Sequence, residues 1–282
     1  MKIDLVVAIN EKIFNEKPSD FLLNTEKMLR YFFRGLSKYL LNINKVFLVI
    51  PDDWEVPNWL NKDYLNILRY SELQTSLRDK EIPIDLLYYR IPGLSENYLS
   101  LDNTIFLVKS LNIERFFDNC FNTLKVKIRP EKPQSINNTQ QQLYKQYIKF
   151  YDTKIDKPYI LQPIHCIKPA KKSLWTAFYN QNNLTVEALI DETLTSDAYY
   201  FWSAKNNLAL FKSDSINVTS YPVDSLWAGI IKYDLENNPG REVIVLDCTF
   251  TIENKLVPTA NQWILEGLEA RIGSNLCKFE RY

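Results

Sequence analysis

Glycine is scarce in this chain: six among 282 residues, against 13 prolines, with no Gly/Ser-rich stretch that would serve as a flexible linker. There is no G-x-G-x-x-G, no P-loop and no G-x-S-x-G, which excludes the signatures of dinucleotide-dependent dehydrogenases, nucleotide hydrolases and serine hydrolases. Histidine occurs once, at His165, so no histidine pair is present to ligate a metal. The four cysteines, Cys120, Cys166, Cys248 and Cys277, lie far apart without C-x-x-C spacing and read as free thiols. Net charge is absent too. Lys plus Arg (34) balances Asp plus Glu (34), so no global field attracts nucleic acid, and none is expected as a partner.

Long apolar runs are also missing. Nothing approaches the roughly 20 residues that cross a bilayer. The opening MKIDLVVAIN has a short apolar run, Leu5 to Ile9, with Asp4 before it and Glu11 after it, and reads as a buried first strand rather than an export signal. The sequons at Asn137, Asn183 and Asn217 say nothing without such a signal. The expectation is a cytoplasmic protein without a transmembrane segment, free or peripheral to the inner face of the membrane.

What is present is core material: 46% hydrophobic residues and 13% aromatic, enough for one large core, and a single domain over 1–282 is expected. Met28, Leu29, Phe32, Phe33, Leu36, Tyr39 and Leu40 recur at helical spacing, predicting a helix over about 25–41 capped by Asn24 or Thr25. KVFLVI, halted by Pro51, reads as a strand covered on both faces. Strand, helix, strand is a βαβ start. It favours an α/β class: Rossmann-like, with a mainly parallel sheet flanked by helices and a helical second half. YLSLDNTIFLV reads as a further strand carrying Asp102, and KVKIRPEKP closes the first half. Helices are expected within 135–157 and around 170–179, 198–204 and 260–272, with a strand at VIVLDCTF.

Several constellations could carry chemistry. Arg30 and Arg34 stand one helical turn apart and could grip a phosphate, though the spacing equally fits a solvated face. His165 sits in PIHCIKPAKKSLW, a proline-flanked loop with Lys168, Lys171 and Lys172 entering a helix. Imidazole suits proton transfer and lysines at a helix start suit a diphosphate, while a structural histidine remains the alternative. Asp102, Asn103 and Thr104 offer three oxygens for a hard cation, or simply a turn. Asp52 and Asp53 follow the second strand, where α/β folds place ligands, and are explained as well by a turn.

Read in order, several stretches resemble the Stealth proteins, which transfer sugar 1-phosphate from nucleotide-sugars during capsule and exopolysaccharide synthesis. IDLV, RGLSKYLLNINKVFLVIPDDWEVPNWLN, IDLLYYRIPGLSENYLSLDNTIF, HCIKPAKKS, SDAYYFWSAKNNLAL and the tail with VLDCTF and KFE fall in the family's order over nearly the whole chain. The most specific is Arg90, Pro92, Gly93, Leu94, Ser95 and Glu96, followed by His165, Pro169, Lys172 and Ser173. The chain departs from the family where AINEKIFNEKPSD lacks a leading aspartate, where Tyr89 replaces a histidine, and where the strand end has one carboxylate, Asp102.

The resemblance implies a sugar-1-phosphate transferase with a nucleotide-sugar donor and a saccharide acceptor. Arg34, Arg90 and Lys172 would neutralise donor phosphates, His165 would act as general acid or base, and Asp102 would join it at the catalytic centre and help hold Mg²⁺ or Mn²⁺. The departures keep two other readings open: an eroded pseudoenzyme that binds nucleotide-sugar or glycan, and an ordinary glycosyltransferase.

Overall fold

The computed structural model describes residues 2–9, 26–75, 82–118, 123–131, 138–151, 160–184, 194–213, 216–222, 227–247 and 258–281. β1 (Ile3–Ala8), α1 (Glu26–Tyr39) and β2 (Val46–Ile50) form the expected strand, helix, strand start. Both strands are buried along their length, as unbroken apolar runs require. The expected caps Asn24 and Thr25, and the AINEKIFNEKPSD loop beyond Ile9, lie outside the described residues. α1 buries Met28, Leu29, Phe32, Phe33 and Leu36, and Gly35 lets its backbone come close: a Cβ there would sit 2.7 Å from the Leu107 carbonyl oxygen.

The remaining strands are β3 (Asn66–Arg69), β4 (Asn97–Asp102), β5 (Ile105–Leu107), β6 (Leu124–Glu131), β7 (Ile160–Pro163), β8 (Lys168–Lys171), β9 (Ala209–Lys212), β10 (Val218–Pro222) and β11 (Val243–Asp247). Besides a single helical turn at Tyr70–Leu73, the longer helices are α2 (Asn138–Phe150), α3 (Lys172–Gln181), α4 (Ser196–Lys205), α5 (Ala228–Asn237) and α6 (Pro258–Ile272). Five strands run in the order β3-β2-β1-β4-β8, and two smaller sheets run β10-β11-β5 and β7-β6-β9. β10 with β11 and β6 with β9 are parallel, while β8 pairs antiparallel with β4. This is the Rossmann-like α/β class that the sequence predicts, with sheets flanked by helices.

Two local expectations change. YLSLDNTIFLV is not one strand. Asp102 Oδ1 accepts the Thr104 backbone N–H at 2.9 Å and the Thr104 hydroxyl, and this Asx-type turn divides the run into β4 and β5, which belong to different sheets. The helix expected around 170–179 starts instead at Lys172, because 168–171 pairs with β4. β8 is an edge strand, where Pro169 is tolerated.

Two compact units emerge. The first comprises Met1–Val6, Leu68–Ser100 and Glu114–Ser215, and the second Val7–Ile67, Leu101–Ile113 and Ile216–Tyr282. The first has an aromatic core in which Trp175 stacks on Tyr199 at 3.9 Å between centroids, with Phe178 against both and Trp202 against Phe178. In the second, Phe33 contacts Phe32, Trp59 and Phe279. Its C-terminal tail is pinned by Asn61 N–H to the Phe279 carbonyl (2.8 Å) and Arg281 N–H to the Trp59 carbonyl (2.6 Å).

Candidate functional site

In the first unit the two most specific stretches of the sequence meet. Ile91, Pro92, Gly93 and Leu94 form a tight turn, with the Leu94 N–H donating to the Ile91 carbonyl at 3.3 Å. Pro92 presets its own φ, and Gly93 takes φ +70°, the left-handed geometry a type II turn needs at its third position. The next N–H, of Ser95, donates to Asp4 Oδ2 at 2.7 Å; Asp4 is fully buried in β1 and anchors the loop.

The start of α3 docks on this turn. The Lys172 N–H donates to the Glu96 carbonyl at 2.9 Å, and the Lys172 ammonium donates to the Ile91 carbonyl at 3.2 Å. Glu96 turns its carboxylate to the helix start, accepting the Ser173 N–H at 3.2 Å and the Ser173 hydroxyl. The positive end of the helix dipole and its orphan N–H groups favour an anion, and here the anion is the chain's own Glu96. Among the described residues the Lys172 ammonium has no carboxylate partner.

Arg90 closes the 3-10 turn Ile84–Arg90 directly before the tight turn. Its Nη1 donates to the Leu73 carbonyl at 3.1 Å, and its guanidinium carbon lies 5.8 Å from the Tyr89 ring centroid. Tyr89 stands 5.0 Å from Tyr179, whose hydroxyl donates to the Leu86 carbonyl at 2.7 Å. Arg90 and Lys172 are therefore brought to the same turn, each oriented by backbone carbonyls.

A charged cluster that sequence reasoning missed lies in the same unit. Lys168 pairs with Asp197 at 3.1 Å, and the half-buried Asp85 adds a second carboxylate. Burial pushes the Asp85 carboxyl above the usual carboxylate range, opposed by a hydrogen bond with Ser196 and the Lys168 charge. Burial also disfavours the Lys168 charge, but Asp197 and Asp85 outweigh it and raise the ammonium above its ordinary value. The only sequence signal was Lys168 beside His165; its partners are 29 and 83 positions away and carry no spacing signature.

His165 is exposed in the connection between β7 and β8. Lys172 follows the far end of β8, so the strand runs between the two residues. The Cys166 side chain is buried, and burial pushes its thiol up to about 12, which leaves it no nucleophile at neutral pH. Asp52 and Asp53 occupy a turn closed by Trp54 N–H to the Pro51 carbonyl at 3.2 Å.

Arg34 and Asp102 belong to the second unit. Arg34 Nε and Nη2 both donate to Glu280 at 2.9 Å, and Arg30 donates to the same carboxylate at 2.9 Å and to Glu26 at 2.7 Å. Two guanidinium groups and two carboxylates make a formally neutral cluster, so Arg34 is committed to fixing the C-terminal tail. Burial alone would raise the Glu280 carboxyl, but the hydrogen bonds from Arg34 and Arg30 outweigh it and hold it below the usual range.

A divalent cation would need more than the Asp102 turn supplies. One Asp102 oxygen already accepts two hydrogen bonds from Thr104, and among the described residues no group of three or more His, Cys, Asp or Glu could hold a metal ion. The described residues do not fit a protein-built Mg²⁺ or Mn²⁺ site.

Comparison with known proteins bears on what this arrangement serves. The receptor polysaccharide phosphotransferase WefC of Streptococcus gordonii is 28% identical over 139 residues, 41% of each chain. The capsular polysaccharide phosphotransferase WcwK of Streptococcus pneumoniae is 27% identical over 158 residues, 46% of this chain and 47% of its own. The curated relatives are polysaccharide phosphotransferases. The resemblance read from the motifs names the same kind of protein. The chain spans about half the length of the curated relatives it matches, and no family model matches it. Among solved structures, the galactosyltransferase LgtC, in complex with donor and acceptor sugar analogs, aligns over 96% of this chain and 95% of its own with a TM-score of 0.52 at 11% identity. At that identity the likeness concerns the fold alone, and it agrees with the Rossmann-like α/β class described above. No helix among the described residues is long and apolar enough to cross a membrane.

Proposed function

We propose that this chain is a sugar-1-phosphate transferase of surface-polysaccharide assembly, with a nucleotide-sugar donor and a saccharide acceptor, working in the cytoplasm where such donors are made. The observation that carries the reading is the turn at Ile91–Leu94, beside which Arg90 donates to the Leu73 carbonyl and onto which Lys172 donates at the Ile91 carbonyl, so that two cations stand together. Arg90 and Lys172 neutralise the donor diphosphate, Arg90 by its planar fork and Lys172 as a point charge. An acceptor hydroxyl oxygen bonds to the phosphorus that carries the sugar, and the bond from that phosphorus to the bridging oxygen breaks. The hydroxyl proton is released to water, since His165 and Lys172 stand at opposite ends of β8, and the products are a sugar phosphodiester and a nucleoside monophosphate. Asp102 shapes the turn at the end of β4, and no step is routed through a metal. Arg34 holds the tail through Glu280 instead of contacting phosphate.

One observation favours the second reading, an eroded enzyme that binds a nucleotide-sugar or glycan without turnover: Glu96 occupies the helix start that a phosphate would otherwise take. Calorimetry with a panel of nucleotide-sugars, with and without Mg²⁺ or Mn²⁺, followed by product analysis, separates the two. Binding that Arg90→Ala and Lys172→Ala each weaken supports the site. Binding without product supports the eroded form, and binding that neither variant changes removes the site from the account.

A further inference from the structure

The second unit carries an aromatic surface that the proposed chemistry does not use. Tyr233 is 69% exposed, Ile230 49%, Trp263 42% and Trp227 37%. Ile230 and Tyr233 stand three apart on α5, and Trp227 caps the helix three residues before Ile230, so the three follow one another along one side. Trp263 of α6 joins them: its ring lies 3.8 Å from where a Cβ on Gly229 would stand, and Gly229 is one turn below Tyr233. The same two helices are tied at the surface by Lys232 to Glu266 at 2.5 Å.

Size and charge narrow what covers it. Taking these fractions of the ~150–250 Å² that a large side chain presents gives an exposed patch of about 400 Å², within the range of functional patches on monomers. That is half of the ~800 Å² per partner in a stable protein interface, so a second copy of the chain is too large an occupant. Asp234 is buried and paired with Arg241, and the other charges of the two helices are three carboxylates, Glu236, Glu266 and Glu269, against two cations, Lys232 and Arg271. A surface that binds an anionic bilayer has the opposite bias, with lysine and arginine beside the aromatics. Two tryptophans and a tyrosine with exposed rings, weakly acidic surroundings and a few hundred Å² suit an uncharged sugar chain. The electropositive C–H face of a pyranose stacks on the electron-rich ring face, and hydroxyls reach the amide of Gln262 at the edge.

We infer that the Trp227, Ile230, Tyr233 and Trp263 face is an auxiliary glycan platform that holds a neutral stretch of the acceptor polysaccharide. The inference rests on the proposed transferase reading for the identity of the glycan, and its own test does not need turnover. The full chain is titrated by tryptophan fluorescence with neutral oligosaccharides of four to eight hexose and N-acetylhexosamine units, beside Tyr233→Ser and Ile230→Ser, two exposed changes that leave the core intact. Trp263→Ala is the stronger probe, checked for folding by circular dichroism. Saturable quenching by at least one oligosaccharide, weakened fivefold or more by both serine variants while nucleotide-sugar binding stays equal to wild type, is the expected result. Equal glycan affinity in wild type and variants, or no saturable binding across the panel, overturns the platform. Flotation with vesicles of phosphatidylglycerol that Ile230→Ser abolishes overturns it in favour of a membrane surface. Concentration-dependent self-association lost in Tyr233→Ser overturns it in favour of a second copy. Loss of nucleotide-sugar binding in the wild type would instead count against the transferase reading alone.

Discussion

Replacing Glu280 by Ala tests whether the two arginines of α1 serve the fold or the chemistry. The Glu280 side chain is 0% exposed and accepts hydrogen bonds from Arg30 Nη1, Arg34 Nε and Arg34 Nη2, each at 2.9 Å, and from the Cys277 N–H at 3.0 Å. Its removal leaves two guanidinium groups, 12% and 21% exposed, without the carboxylate that neutralises them. Removing one partner of a buried pair costs about 3–5 kcal/mol. Arg30 keeps Glu26 and some water, which places the cost near the lower end, about 3 kcal/mol. With a urea slope of about 3 kcal/mol per molar for a chain of this size, the midpoint should fall by about 1 M. Arg34→Ala leaves Glu280 with Arg30 and the Cys277 N–H and should show a smaller loss, about 1.5 kcal/mol or about 0.5 M in urea. The sign with pH follows from the depressed Glu280 carboxyl. Its stabilisation is complete above the unfolded value of about 4.3 and is lost as pH falls through the lower folded value, so wild type and Glu280→Ala should converge in strong acid. A midpoint within about 0.2 M of wild type for Arg34→Ala, together with abolished donor binding, would refute the structural role and restore Arg34 to the phosphate site.

Lys172→Ala should weaken nucleotide-sugar binding about tenfold or more, about 1.4 kcal/mol, in calorimetry, with the urea midpoint unchanged. Gly93→Ala forces a Cβ into a left-handed backbone, which should cost about 1–2 kcal/mol in urea melts and also reduce donor affinity, because the turn presents the acceptor for Lys172. The raised Asp85 carboxyl is stabilising below its unfolded value and loses that contribution as pH rises through the folded one, so Asp85→Asn should raise the melting temperature at pH 7 relative to wild type and much less at pH 4. Burial pushes the Cys166 and Cys277 thiols up to about 12 and about 11, so iodoacetamide at pH 8 should leave both unlabelled in the folded protein and label both in urea, as read by peptide mass spectrometry.

The parts of the fold written locally were legible. β1, α1 and β2 follow from unbroken apolar runs and a clean helical period, and α4 and α6 extend the expected helices by only one or two residues at a boundary. α5 escaped because Ile230 and Tyr233 put apolar side chains on its exposed face, which blurs the helical period; the same blur marks the aromatic patch. The break between β4 and β5 escaped because Asp102 and Thr104 bond each other inside an apolar run whose composition alone is strand-like.

At the site, the neighbourhood of Arg90 and Lys172 was foreshadowed by two motif stretches that pair across β4 and β8. The role of Arg34 was not, because its partner Glu280 is 246 positions away and helix spacing carries no information about it. Glu96 was visible as a motif residue but not as the cap of α3, since that depends on where the helix starts. Cys120 and Cys248 lie outside the described residues, as does the end of the expected strand VIVLDCTF.

The most direct measurement is ³¹P NMR of the full chain incubated with nucleotide-sugars and oligosaccharide acceptors. The account expects a new phosphodiester resonance growing in step with nucleoside monophosphate, and its loss in Lys172→Ala. Nucleoside diphosphate appearing with no phosphodiester would contradict it and mark the protein as an ordinary glycosyltransferase.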